Sequence, residues 1–334
     1  MVAERSVRAG RPTIAIVATG GTIAMRNDPV TGAPVPALTG ADLAAAVPGL
    51  ADWAAIEVVE FANVPSAYMG PALWPDLSRA VAGLLDRPEI AGAIVLHGTD
   101  TLDQTAYFLD LTLKSDKPVV MVGAQRNASD ADADGARNLL SAVRQILAPG
   151  AGRMGVTVTL NQNINAARDV RKTHTHNVET FNSGEAGFLG HVDPDRVVFT
   201  RQSLRRQTLP LPDRLARVEL VAMAAGSDGR QLRHAVADGA EGVVIAAYGF
   251  GNVNEALHDA VVEAIAAGVT IVVASQVPHG RALPVYGFKG GGSTLRAAGA
   301  VFADDLSPDK ARVLALLSLP ITRDREALQL YYDR

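Results

Sequence analysis

The chain has 334 residues, 48 % hydrophobic and 20 % charged, enough apolar material for two cores at a prior of about 150 residues per domain. Its formal net charge of −4 gives no electrostatic reason to expect a nucleic acid or an anionic membrane as partner. The absence of cysteine excludes disulfides, thiolate zinc sites and cysteine nucleophiles.

Residues 1–11 carry three arginines but no apolar run of signal-peptide length, and no stretch approaches a membrane span. A soluble cytoplasmic protein is expected. In chain order the pattern runs strand 13–18, helix 74–86, strand 93–96, helix 103–114, strand 119–122, helix 136–147 and strand 156–160. It resumes with strand 219–223, helix 232–237, strand 242–246, helix 253–267, strand 269–274 and helix 308–317. Continuous apolar strands alternating with helices imply an α/β fold, with parallel sheets covered on both faces. Arginine-rich 201–217 holds two prolines and reads as a linker with a solvated face. It separates a larger N-terminal domain, 1–200, from a C-terminal one, 218–334. Segment 26–39, rich in proline, glycine and polar residues, reads as a mobile lid.

Ligands in such folds bind at the carboxyl ends of strands. Two threonine–glycine clusters fall there. Thr19-Gly20-Gly21-Thr22 follows the first strand; its glycines allow a tight turn and leave the Thr22 hydroxyl at the sheet edge. A helix cap with a packing glycine pair is the alternative. His97-Gly98-Thr99-Asp100-Thr101 lies between a strand and a helix, where Asp100 or Thr101 can cap the helix. An aspartate and a threonine there can also hold a ligand's ammonium and activate a hydroxyl.

Taken together the clusters are more specific. Residues 16–24, 97–101, 105–110 and 117–124, Asp134-Gly135, Asn138-Leu139, Arg168-Asp169-Val170, Lys172-Thr173, 249–252, Val277-Pro278 and 308–311 stand in one order. In these the chain resembles the bacterial-type L-asparaginase family from residue 13 to about 330. The resemblance implies a smaller C-terminal domain of Rossmann-like or flavodoxin-like α/β form, no cofactor, and a homotetramer built from intimate dimers. It implies Thr22 as the nucleophile that forms an acyl-enzyme on L-asparagine. Thr99, Lys172 and Asp100 would form a second, hydroxyl-activating group. Asp100 would bind the substrate's α-ammonium, Ser66 with Ala67 its α-carboxylate, and the Ala124 carbonyl or nearby amides its carboxamide. Asn252 or Asn254 would reach the partner chain's site.

Two departures from the family stand out. The lid tyrosine that hydrogen-bonds the nucleophile is missing, since none occurs between Thr22 and Tyr68; Tyr68 or Tyr286 could supply the hydroxyl. At the α-carboxylate site Ala67 offers no side-chain donor, and 281–286 lacks the acid found in strong glutaminases. Both point to asparagine over glutamine. Glutaminase, amidotransferase-subunit and amino-acid-sensing readings are the competitors.

Other motifs carry less. Asp130, Asp132 and Asp134 open like an EF-hand loop, but position twelve is Ser141. His174 and His176 read as exposed loop residues. Residues 249–251 lack the third glycine of a dinucleotide fingerprint, and 289–294 read as a flexible surface turn.

Overall fold

The computed structural model describes residues 11–334. They fold into two compact units that meet in sequence at Ser203 and Leu204, with Tyr107–Leu113 and Gly184–Ala186 also belonging to the second.

The N-terminal unit holds β1 (Thr13–Ala18), β2 (Met25–Asn27), β3 (Pro34–Pro36), β4 (Ala55–Glu60), β5 (Ile90–Leu96) and β6 (Val119–Val122). It continues with β7 (Val156–Leu160), β8 (Asn163–Ala166), β9 (Arg171–Lys172), β10 (Phe181–Asn182), β11 (Gly190–Val192) and β12 (Val197–Phe199). Eight of these form one sheet in the order β12-β11-β8-β7-β6-β5-β1-β4. From β4 to β7 the strands are parallel; β8, β11 and β12 extend the sheet antiparallel. The antiparallel part escapes the sequence reading because NINA and GHV contain no apolar run. One signal was present: Asn161 and Gln162, at φ 47° and 65°, make the two-residue hairpin loop between β7 and β8.

The helices here are α1 (Gly40–Ala45), α2 (Leu50–Trp53), α3 (Trp74–Leu85) and α5 (Gly135–Leu147), with the first residues of α4 (Leu102–Thr112), which from Tyr107 on belongs to the second unit. In α5 Leu139, Ala142, Val143 and Ile146 recur at helical spacing and pack on Ile94, Leu96, Val120 and Val122 of the sheet. On α3 the buried side chains are Trp74, Leu77, Val81, Leu84 and Leu85; its Trp74 Nε1–H donates to Thr105 Oγ1 at 2.9 Å.

In the C-terminal unit β13 (Val218–Ala222), β14 (Gly242–Ala247), β15 (Thr270–Ser275) and β16 (Val301–Phe302) lie in sequence order, all parallel. This sheet therefore has no point where strand order reverses. Helices α6 (Arg230–Ala237), α7 (Glu255–Ala266), α8 (Gly292–Ala298), α9 (Pro308–Ser318) and α10 (Arg325–Tyr332) accompany it. Val243, Ile245, Ile271 and Val273 meet Leu257 and Val261 in its core.

One reading of a loop changes and two gain detail. The arginines of 201–217 are solvated and also paired. Arg205 bonds Asp304 and Asp305, Arg206 bonds Asp110, and Arg214 bonds Glu241, while Leu209 and Ala216 are buried. Residues 289–294 are packed, not a flexible turn: a Cβ on Gly291 would lie 2.3 Å from the Tyr286 carbonyl oxygen, and α8 begins at Gly292. Segment 26–39, read as a lid, takes the form of a hairpin. At its tip Asp28 Oδ1 accepts from the Val30 N–H, the Thr31 N–H and the Thr31 hydroxyl.

Among the described residues no helix is long and apolar enough to cross a membrane.

Candidate active site

The N-terminal sheet has its reversal at β1. From β1 the chain moves outward to β4, then returns to lay β5 on the other side of β1. Parallel sheets bind ligands outside the carboxyl ends of strands at such a reversal. Here the loops are 19–22 after β1, 61–66 after β4 and 97–101 after β5.

Glycine lets these loops touch. Gly21 has φ +88°, and a Cβ on it would lie 2.1 Å from the Gly98 Cα; a Cβ on Gly98 would lie 2.8 Å from the Ser66 Cβ. The Thr19 hydroxyl donates to the Leu96 carbonyl at 2.8 Å, tying the end of β1 to the end of β5. Thr22, just past Gly21, starts a 3-10 turn, Thr22–Ala24, and is half-buried.

Around Gly98 the polar groups interlock. The Asp100 N–H donates to Ser66 Oγ at 3.2 Å, and the Ser66 hydroxyl reaches Asp100 Oδ2 at 3.4 Å. The Thr101 hydroxyl donates to the Ser66 carbonyl at 2.6 Å. Lys172 arrives from β9, its N–H held by Asp103 Oδ2 at 3.2 Å. Its Nζ donates to Thr99 Oγ1 and to Asp100 Oδ1, both at 2.8 Å. The Lys172 side chain is 19 % exposed and the Asp100 side chain 68 %, so the carboxylate is open to a ligand while the amine is largely covered. The hydrogen bond from Lys172 holds the Asp100 carboxyl below its ordinary range.

The structure thus brings Ser66, Thr99, Asp100 and Lys172 into one hydrogen-bonded group, with Thr22 on the loop that touches it. Ala67 is exposed beside Ser66, and Ala124 is buried just after β6. Asn252 lies in the C-terminal unit, where its Oδ1 accepts the Gly292 N–H at 3.3 Å. Asn254 caps α7, its Oδ1 accepting the Leu257 N–H at 2.9 Å and its Nδ2 donating to the Ser227 carbonyl at 2.6 Å. Tyr68 is 72 % exposed; Tyr286 stacks with Phe250 and Phe288 in the C-terminal unit.

Two residues that stand in the sequence motifs without an assigned role organise the site. Fully buried Asn138 donates to the Gly123 carbonyl and accepts the Asn161 N–H, both at 3.0 Å, tying the loops after β6 and β7. A polar residue on the apolar stripe of α5 was the available signal. His97 is also fully buried; its Nδ1–H donates to the Gly98 carbonyl at 2.7 Å, and its Nε2 has no partner among the described residues.

Burial pushes the His97 imidazole down to about 4 from the usual 6.5. The folded state thus binds the proton less well than the unfolded chain. The stability that neutral His97 supplies is complete above pH ~6.5 and is lost as the pH falls toward 4, about 3 kcal/mol in all. Urea unfolding between pH 4.5 and 7.5 checks this: His97→Gln flattens the slope, and an unchanged slope contradicts it.

The acidic loop holds no vacant ion site. Asp134 accepts the Gln125 and Arg126 N–H groups, Asp130 accepts the Asn127 N–H, and Asp132 pairs with Arg126. Among the described residues no group of three His, Cys, Asp or Glu could hold a metal ion. His174 and His176 are exposed.

Comparison with known proteins agrees with this geometry. The model of the asparaginase N-terminal domain matches residues 13–205, and that of the glutaminase/asparaginase C-terminal domain matches 217–331. The chain is 34 % identical to L-asparaginase 2 of Bacillus subtilis, over 99 % of this chain and 88 % of that protein. It is 32 % identical to a glutaminase-asparaginase of Pseudomonas fluorescens, over 95 % and 88 %. A crystal structure of a probable cytoplasmic L-asparaginase from Campylobacter jejuni superposes with a TM-score of 0.90 at 34 % identity, covering 97 % of this chain and 100 % of the other. With both domain models in order along nearly its whole length, the chain belongs to the asparaginase family.

Proposed function

We propose that the chain is an L-asparaginase, hydrolysing L-asparagine to L-aspartate and ammonia through an ester on Thr22. One observation carries the reading: in a family member, Nζ of Lys172 bonds both Thr99 Oγ1 and Asp100 Oδ1 at 2.8 Å in the crevice beside the Thr22 loop. The exposed Asp100 carboxylate receives the substrate's α-ammonium, Ser66 its α-carboxylate, and the Ala124 carbonyl its amide nitrogen.

A threonine hydroxyl is a weak nucleophile until a base takes its proton. Thr22 Oγ1 attacks the carboxamide carbon; as the C–N bond breaks, the hydroxyl's proton leaves with ammonia. Water then attacks the ester. Its proton passes to the Thr99–Lys172 relay and returns to Thr22 Oγ1 as aspartate departs, so both threonines end as they began.

Ala67 adds no donor beyond Ser66, and 281–286 carries no acid, so the shorter amide is preferred. The resemblance to a glutaminase-asparaginase supports broader specificity as the second reading. The functional form is read as a homo-oligomer, by resemblance a tetramer. Tyr248, Phe250, Tyr286 and Phe288, each 42–54 % exposed in the C-terminal unit, offer it an apolar face near Asn252.

The test is ammonia release from L-asparagine, L-glutamine and D-asparagine by the native chain, Thr22→Ala and Thr99→Ala. L-asparagine turns over fastest and both variants lose about 10³-fold or more. No release from any amide, with L-aspartate still bound, makes the pocket a sensor.

A further inference from the structure

The hairpin that follows Thr22 is short, closed at its tip by the Asp28 N–H to Ala33 O bond at 2.9 Å and at its base by the Ala37 and Leu38 N–H groups on Ala24 O. Its strand β3 reads Pro-Val-Pro, so only Val35 carries an N–H for the ladder to β2. A two-stranded hairpin of three rungs is marginal even with every bond made. Packing secures its base, where Ile23, Ala24 and Leu38 are buried in the core, but a cavity of about 200 Å³ lies beside them, among Ile23, Arg26, Leu38, Leu43 and Leu139.

A further hold lies on the outer edge of β2. Met25 O accepts the Ala128 N–H at 3.1 Å, and the Asn27 N–H donates to Ser129 Oγ at 3.0 Å. Asn127 Nδ2 donates to Asn27 Oδ1 at 3.2 Å and to Asp130 Oδ1 at 3.3 Å, while its Oδ1 accepts the Ser129 N–H at 2.7 Å. Asn127 itself is 7 % exposed, so its side-chain amide is largely covered while Asn27 and Ser129 stay at the surface. Residues 127–129 thus act as a third strand on β2. Three residues upstream of that edge is Thr22, and Ala24 O between them accepts both the Ala37 and Leu38 N–H groups.

We infer that Asn127 is a positioning residue for the proposed reaction: it straps the hairpin to the loop after β6 and so fixes the turn that carries Thr22. The strap does the locating in a hairpin that has no tyrosine. This rests on the asparaginase reading, and its test separates the two. Ser66 and Asp100 lie on other loops, so loss of the strap misplaces the nucleophile without removing the anchors of the substrate's α-carboxylate and α-ammonium.

In Asn127→Ala kcat falls about tenfold while KM stays within about twofold, since a misplaced nucleophile costs rate and not binding. Trypsin cleavage after exposed Arg26 in β2 accelerates about tenfold as the hairpin opens. Asn27→Ala, which removes the acceptor on the other side, does the same, and the double variant adds nothing further. Native kcat and native cleavage in Asn127→Ala overturn the assignment, as does a KM that rises as far as kcat falls. If the native chain hydrolyses no asparagine, the functional reading fails, and the cleavage rates still decide the strap.

Discussion

Replacing Lys172 by methionine is expected to lower kcat for L-asparagine by about 10²–10⁴, the value of one positioned proton-transfer group. Methionine keeps the apolar stem but has no atom that can exchange a proton with Thr99 Oγ1, the partner Lys172 now holds at 2.8 Å. Ligand binding behaves differently. Asp100 loses its ion-pair partner and becomes a freer anion for the α-ammonium, so L-aspartate binds at least as tightly as before. Steady-state kinetics with calorimetric titration of L-aspartate separates the two effects. A kcat within twofold of native removes Lys172 from the chemistry. A large loss of L-aspartate affinity makes it a binding residue instead.

Gly21→Ala should be as damaging by another route. The new Cβ falls 2.1 Å from the Gly98 Cα, backbone against backbone, where no rotamer offers relief. The residue also sits at φ +88°, which L side chains rarely adopt. The expected outcome is a stability loss of at least about 3 kcal/mol and no measurable turnover in whatever folds, because the loops of Thr22 and Thr99 are driven apart. Gly32→Ala is the control. Its φ is +70°, but a Cβ there meets nothing within 4 Å, so strain alone is tested and the loss stays near 1 kcal/mol. Equal losses in the two variants would mean that the loop contact contributes nothing.

The parallel half of the larger sheet was legible in sequence because each strand is an apolar run buried on both faces, as in TIAIVA and IAGAIVL. The edges were not. AIEVVE of β4 has one neighbour, is broken by two glutamates and is nowhere fully buried, and β8 through β12 are only two to four residues long, too short for a periodic signal. At the site, the threonines and glycines were legible as motifs, since glycine pairs at strand ends mark close backbone approach. Nothing in RDVRKTH shows Lys172 to be a partner of Thr99; only the family resemblance raised it above a surface lysine, because 73 residues of chain separate the two. The roles of His97 and Asn127 were invisible for the same reason. Their roles depend on what folds around them.

The most direct test of Thr22 as nucleophile is to quench the enzyme during turnover of L-asparagine, digest it and locate the aspartyl ester by mass spectrometry. The expected ester lies on the peptide that carries Thr22, and it is absent from Thr22→Ala. An ester on Thr99, or full turnover by Thr22→Ala, would contradict the assignment.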